Sequence, residues 1–261
     1  MPGVTHGRII LGTALVGWGV IGLLFGEFVN SLQPFPAWLP GYRALAILNA
    51  LGLLGAGLAL VAGVRVRRVA LAVAAWLVIW IPLLHIPQAI ADPVLLRSPF
   101  WIRTFELLAL AGGCLVLAGR PEIGRRLFGI ALPVFGILHF VYPVSVAVLI
   151  PPWYPWPLFW AWFTGAAHFA AGVAIATGIQ ARLAALLAGT MYGLWALTLH
   201  LPRQFMEEVF HYSGPRPEWT STCVAVAFCG AAWIVAGSLA SRRPARTPVG
   251  TVPEPAREGG A

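Results

Sequence analysis

The chain is poor in charged residues and has no lysine. Only 10% of its 261 residues are charged and 59% are hydrophobic, whereas soluble domains carry about 25% charged residues. This composition excludes a soluble globular protein and indicates a protein of the lipid bilayer. All 17 basic residues are arginines scattered between apolar runs. That pattern is typical of membrane orientation signals and not of a nucleic-acid surface.

Cysteine is scarce as well. Cys114, Cys223 and Cys229 all lie inside apolar runs, and no Cys-x-x-Cys pair occurs. A reactive thiol needs an exposed, electropositive setting, so a disulfide framework or a thiol-redox centre is not predicted. The sequence also lacks a phosphate loop, a nucleotide fingerprint and a nucleophile motif.

Long apolar runs dominate what remains. A membrane helix needs about 20 mostly apolar residues to cross the hydrocarbon core. The longest uncharged stretch, between Leu127 and Ala181, is divided by the proline-rich "PPWYPWP" at 151–157. The chain therefore predicts an all-α membrane protein with eight transmembrane helices. They are expected at 9–27, 44–64, 69–90, 101–119, 124–145, 157–178, 181–202 and 219–240.

The arginines predict how these helices are oriented. With a cytoplasmic N-terminus, twelve arginines fall on the inner side and five on the outer side. This bias follows the positive-inside rule. It predicts that both termini lie in the cytoplasm. The segment 242–261, rich in Pro, Arg and Gly, is expected to be a disordered tail.

The two halves of the chain resemble each other. A shift of 115 residues superposes several residues, a shift of 118 aligns Trp101 with Trp219, and a shift of 112 aligns residues 27–28 with 139–140. This predicts two parallel-repeat four-helix bundles, 1–120 and 121–241, of the same orientation. At the shift of 115, Pro36 matches Pro151, Trp38 matches Trp153, Gly63 matches Gly178, Trp80 matches Trp195, and His85 matches His200.

Several of these stretches resemble the DoxX-like family of bacterial membrane proteins. They are "GILHFVYP" (136–143), "PPWYPWPLFWAWFTG" (151–165), "AGVAIATGIQARLAA" (171–185), "LWALTLHLPR" (194–203) and "EWTSTCVAVAFCGAAW" (218–233). The resemblance implies a four-helix unit in the bacterial cytoplasmic (inner) membrane and, in some relatives, association with membrane redox complexes. The family is named after a small subunit of an archaeal thiosulfate:quinone oxidoreductase. It has no agreed catalytic motif, so no residue inherits a role.

Ionisable residues inside membrane helices are costly and mark candidate sites. Most of them fall toward the predicted outer side, and only His168 lies near the middle of the membrane. One predicted outward-facing cavity comprises Glu27, His85, Arg103 and Glu106, and a second comprises His139, His168 and His200. Histidine and carboxylate groups there suit proton exchange with a quinone head group. Metal or haem binding is the weaker alternative, since no His-x-x-x-His pair occurs.

Structural explanations compete with these sites. Arg103 and Glu106 are spaced i, i+3 and are expected to pair. His85 and His200 are each followed two residues later by a proline, so they are expected to end helices and to cap the carbonyl groups that the prolines free. The leading hypothesis is a subunit that supports a membrane redox system and binds quinone or a lipid-like substrate. The alternatives are a transporter or lipid-handling protein, and a scaffold that recruits partners through its tail.

Overall fold

The computed structural model describes residues 2–29, 32–92, 100–206 and 216–240, so the predicted tail lies outside the described residues. These residues form helices and no strands. The eight long helices are α1 (Pro2–Phe25), α2 (Tyr42–Ala62), α3 (Val66–Ala91), α4 (Phe100–Leu117), α5 (Pro121–Val141), α6 (Pro157–Thr177), α7 (Ala181–Arg203) and α8 (Arg216–Ala240). A short helix, Pro143–Ala147, follows α5.

Seven of these helices, all except α4, are long and apolar enough to cross a membrane. The chain is therefore an integral membrane protein. Helix α4, described from Phe100 to Leu117, is not among them, so an eighth span stays a prediction. Helix α4 is nevertheless central, because Leu107, Leu110 and Cys114 are fully buried in the core.

Helices of the first half of the chain pack against helices of the second half. Helix α1 packs against α2 and against α8, while α5 packs against α6 and against α4. The first helix of each half thus lies on the last helix of the other half. One continuous core joins residues of both halves. The two predicted four-helix units therefore interlock.

Two pairs of glycines form matched helix crossings. A Cβ added at Gly7 would lie 2.7 Å from the Gly230 carbonyl oxygen, and one added at Gly112 would lie 2.6 Å from the Gly124 carbonyl oxygen. No larger residue fits such an approach, so α1 meets α8 and α4 meets α5 at glycine. The crossing of α1 with α8 and that of α4 with α5 are therefore of the same kind.

Two arginines close helix ends in a matched way. Arg8 donates to the carbonyl of Leu60 near the end of α2, and Arg125 donates to the carbonyl of Ile175 near the end of α6. The last carbonyl groups of a helix lack intrahelical donors, so each guanidinium satisfies one of them.

These matched contacts have a constant spacing along the chain. Gly124 follows Gly7 by 117 residues, and Arg125 follows Arg8 by 117 residues. This spacing differs from the shift of 112 predicted from residues 27–28 and 139–140, and the alignment of the two halves stays a prediction.

Each histidine of the two histidine–proline motifs is the last residue of a π-helical turn, Ile81–His85 or Ala196–His200. Pro87 and Pro202 have no N–H to donate, and the wider turn accommodates the missing hydrogen bond. The prediction that His85 ends its helix is wrong, since α3 continues to Ala91. His200 lies in the last turn of α7, which ends at Arg203, as predicted.

Candidate functional site

An open groove of 470 Å³ runs between α2 and α3. These helices pack against each other less closely than α6 packs against α7. Rim residues such as Leu45 and Leu48 are exposed on the molecular surface. In a membrane the groove therefore opens toward lipid. Its lining consists of Phe28, Phe35, Leu45, Leu48, Asn49, Gly52, Leu53, Ala56, Ala72, Val73, Trp76 and Trp80.

The groove has one polar end, built around Asn49. Its side-chain amide exchanges two hydrogen bonds with the amide of Gln33, at 3.2 and 3.1 Å. The indole N–H of Trp76 donates to Asn49 Oδ1 at 2.9 Å. Gln33 is fully buried, with 0% exposure. A polar group in an apolar membrane helix requires such partners.

Aromatic rings close the same end of the groove. Phe28 and Phe35, from the α1–α2 connection, stack with ring centroids 4.2 Å apart. Trp80 meets Phe35 edge to face at 5.3 Å and Trp76 at 6.1 Å. The connection thus folds back over α3 and places flat aromatic surfaces beside the amide pair.

A second polar cluster is buried in the other half of the chain. The rings of His139 and His168 lie 5.1 Å apart, and His168 lies 5.5 Å from Tyr192 and 5.4 Å from Trp195. His168 is 2% exposed and Tyr192 is 4% exposed. Helices α5, α6 and α7 therefore bring three polar side chains into one apolar region.

Both histidines of this cluster are held by their own helices. His139 Nδ1 lies 2.7 Å from the Phe135 carbonyl oxygen, and His168 Nδ1 lies 2.8 Å from that of Thr164. Because a carbonyl only accepts, each Nδ1 carries the hydrogen, and in the neutral ring each Nε2 is an acceptor. The Tyr192 hydroxyl has no hydrogen-bond partner among the described residues.

His85 is buried, and both of its ring nitrogens contact groups of the protein. It is 1% exposed, and Nε2 donates to the Leu32 carbonyl oxygen at 3.0 Å while Nδ1 lies 3.0 Å from Thr104 Oγ1. It joins the α1–α2 connection to α4. The predicted capping of the Leu83 carbonyl is therefore wrong.

His200 belongs to an ion-pair network at the end of α7. Its Nδ1 lies 3.5 Å from Glu218 Oε2, and Arg203 binds the other oxygen of Glu218 at 2.9 Å. Arg203 also donates to the Leu149 carbonyl oxygen at 2.9 Å. This network ties α7 to the start of α8, so His200 does not cap the Thr198 carbonyl as predicted.

The structure regroups the other predicted site residues. Arg103 is exposed, and it forms no ion pair with Glu106, contrary to the i, i+3 prediction, although both residues are described. Glu27 lies in the turn after α1. None of Glu27, His85, Arg103 and Glu106 lines the groove. Of the second predicted set, His139 and His168 meet, whereas His200 lies with Glu218.

The described part of the chain contains no set of metal ligands. No group of three or more His, Cys, Asp or Glu residues there is arranged to hold an ion.

The polar end of the groove was missed at the sequence level. Asn49 is the single amide residue of α2 and stands in an apolar run that begins after Arg43, and that isolation was the available signal. Gln33 lies in a connection, where polar residues are ordinary, so nothing in the pattern links it to Asn49.

Comparisons with models of known protein families, with curated proteins and with solved structures find no match for this chain.

Proposed function

We propose that this membrane protein binds a quinone- or lipid-type molecule in the groove between α2 and α3. The main support is the shape and lining of the groove. It has a volume of 470 Å³, its lining is mostly apolar, and one end contains hydrogen-bonding side chains. Ligand sites are typically concave and apolar, enclose about 300–1,000 Å³, and contain a few placed polar groups. A ligand with a long apolar body and one polar end matches that arrangement.

The DoxX-like resemblance supports a setting for this binding. It favours a subunit beside a membrane redox system, with redox partner subunits as neighbours in the bilayer. The arginine distribution supports cytoplasmic termini in an inner membrane. In that orientation Phe28, Phe35 and the amide pair lie toward the outer side.

A duplicated four-helix unit is part of the proposal. The matched glycine crossings and arginine caps support it. At the groove, Leu53 and Trp80 correspond to His168 and Trp195 of the second half. One copy therefore holds an open groove where the other holds the buried histidine cluster.

Filling the groove tests the proposal. Gly52 lines the groove and a Cβ there meets nothing within 4 Å, so Gly52→Leu places its side chain in the ligand space. The expected result is roughly tenfold weaker binding of an alkyl benzoquinone or a phospholipid, which corresponds to about 1.4 kcal/mol. Equilibrium binding to the full chain in alkyl maltoside micelles measures it.

Gly55→Leu is the matched control. Gly55 lies on the same helix, a Cβ there also meets nothing within 4 Å, and it does not line the groove. Both changes raise helix propensity equally. Equal affinities for wild type and both variants, or no binding at all, would reject the proposal.

A further inference from the structure

Contacts between helix ends place several turns of the chain on one face of the molecule. Arg8, near the start of α1, donates to the carbonyl of Leu60 at the end of α2. A Cβ added at Gly119, in the α4–α5 turn, would lie 3.8 Å from Nε of Arg67 at the start of α3. Arg125, near the start of α5, donates to a carbonyl at the end of α6. The α2–α3, α4–α5 and α6–α7 turns therefore lie on the same face.

This face is strongly basic. Six arginines on it are exposed, and none of them forms an ion pair with a described residue. The acidic residue described there, Glu122, is already paired with Arg125. We call the set of six the basic face: Arg65, Arg67, Arg68, Arg120, Arg126 and Arg182.

The opposite face of the molecule carries charges of both signs. Arg43 and Arg103 are exposed there, and so is Asp92. Arg203, on the same face, binds the carboxylate of Glu218. An excess of exposed positive charge is therefore a property of the basic face and not of both helix ends.

The local structure adds to the positive charge of the basic face. Arg67 and Arg68 lie in the first turn of α3, Arg182 lies in the first turn of α7, and neither turn contains an acidic residue. The start of a helix carries a partial positive charge, which acidic side chains balance in many proteins. These guanidinium groups therefore attract an anion from outside the protein more strongly than arginines at helix ends of the opposite sign.

The position of the basic face indicates what kind of anion it meets. Its arginines lie at the ends of helices that are long and apolar enough to span a membrane, which is the level of the lipid head groups. Phosphate groups stand at that level, and a guanidinium group can bind phosphate through two N–H donors. A head group with a net negative charge matches a face of unpaired cations.

We propose that the basic face binds the head groups of anionic phospholipids in the leaflet that it touches. Arg67 and Arg120 form the centre of this surface, because Arg67 lies over the turn that ends at Arg120. The basic face and the groove between α2 and α3 share no residue. The two proposals can therefore fail separately.

Two phospholipids with the same acyl chains test the proposal. Phosphatidylglycerol is anionic and phosphatidylcholine is zwitterionic, so the pair differs in net head-group charge. Equilibrium binding to the full chain is measured in micelles of a neutral alkyl maltoside. The expected result is binding of phosphatidylglycerol at least about tenfold tighter than binding of phosphatidylcholine. This preference should fall as the salt concentration rises, because salt screens exposed charges.

A double substitution, Arg67→Gln with Arg120→Gln, tests the centre of the surface. Both arginines are exposed, so the fold is expected to persist. The preference for phosphatidylglycerol should fall at least roughly fivefold. The matched control is Arg43→Gln with Arg103→Gln, which removes two exposed arginines from the opposite face and changes the net charge equally. The control should keep the preference.

Two results would overturn the inference. Equal affinities of the wild-type chain for the two lipids would show that the basic face does not select an anionic head group. Equal losses of preference in the two double variants would show that the lipid responds to the net charge of the protein and not to this face.

Discussion

Tyr192 carries a buried hydroxyl group without a hydrogen-bond partner in the described part of the chain. A buried polar atom left without a partner costs about 1–3 kcal/mol. Its neighbour His168 presents a neutral Nε2 that accepts hydrogen bonds, yet the structure shows no hydrogen bond between the two side chains. The cluster therefore contains a donor and an acceptor side by side without a bond between them.

Removing that hydroxyl is expected to leave the protein at least as stable. Tyr192→Phe keeps the ring contacts with His168, Trp195 and Phe228 and deletes the unpaired group. The expected change in the free energy of unfolding is between zero and an increase of about 1 kcal/mol. Equilibrium unfolding in mixed micelles measures it.

Tyr154→Phe is the contrasting control, because the Tyr154 hydroxyl donates to Thr198 Oγ1. Its loss should lower the free energy of unfolding by about 1 kcal/mol. A comparable loss in Tyr192→Phe would show that its hydroxyl does have a partner, such as a buried water molecule.

At the scale of the element, the ends of α2 and α6 depend on arginines from other helices. Arg125 is 7% exposed, and besides Ile175 it donates to the Ala176 carbonyl oxygen at 2.9 Å and to Glu122 at 3.0 Å. The Arg125 guanidinium therefore donates to carbonyl groups at the end of α6 and also pairs with a residue of its own helix, α5. Glu122 is half exposed, so its pair with Arg125 adds little to stability.

Arg125→Gln is expected to loosen the end of α6. The shorter amide cannot reach the same carbonyl groups, so the loss is about 2–3 kcal/mol in the free energy of unfolding. Amide hydrogen exchange should rise in the last turn of α6. Arg182→Gln changes an exposed arginine with no described hydrogen bond and should shift stability by less than about 0.5 kcal/mol. Equal effects of the two substitutions would argue against the cap.

At the scale of the whole molecule, the two halves are joined by α1 on α8 and by α5 on α4. Separation of the halves would expose the faces of four helices. The close crossing at Gly7 and Gly230 leaves no space for a side chain: a Cβ at Gly230 would lie 2.5 Å from the Leu11 nitrogen.

Gly230→Leu is therefore expected to destabilise the entire protein. Overpacking at such a crossing costs roughly 1–3 kcal/mol or more, because the backbones must move apart. The measurement is the unfolding midpoint in micelles together with the yield of monodisperse protein. Gly112→Leu, at the matched crossing of α4 and α5, should behave alike, whereas Gly55→Leu should not. An unchanged midpoint in Gly230→Leu would contradict the interlocked packing.

The sequence by itself determined the class of the protein and the course of its helices. Apolar runs at 44–64 and 157–178 predicted helices that the structure places at Tyr42–Ala62 and Pro157–Thr177. The prediction of these helices succeeds because each crossing of the hydrocarbon core requires about 20 apolar residues that are consecutive in the sequence. The isolated polar residues were visible too, and the meeting of His139 with His168 was predicted.

Only the tertiary structure decided which other polar residues meet. Membrane helices are apolar toward lipid and toward protein alike, so no period in the sequence marks the packed face. Gln33 reaches Asn49 because the α1–α2 connection folds back over α3. The groove exists because α2 packs mainly against α1 and α3 mainly against α4, which leaves few contacts between α2 and α3. Such contacts join residues far apart in the chain, so they depend on the assembled fold.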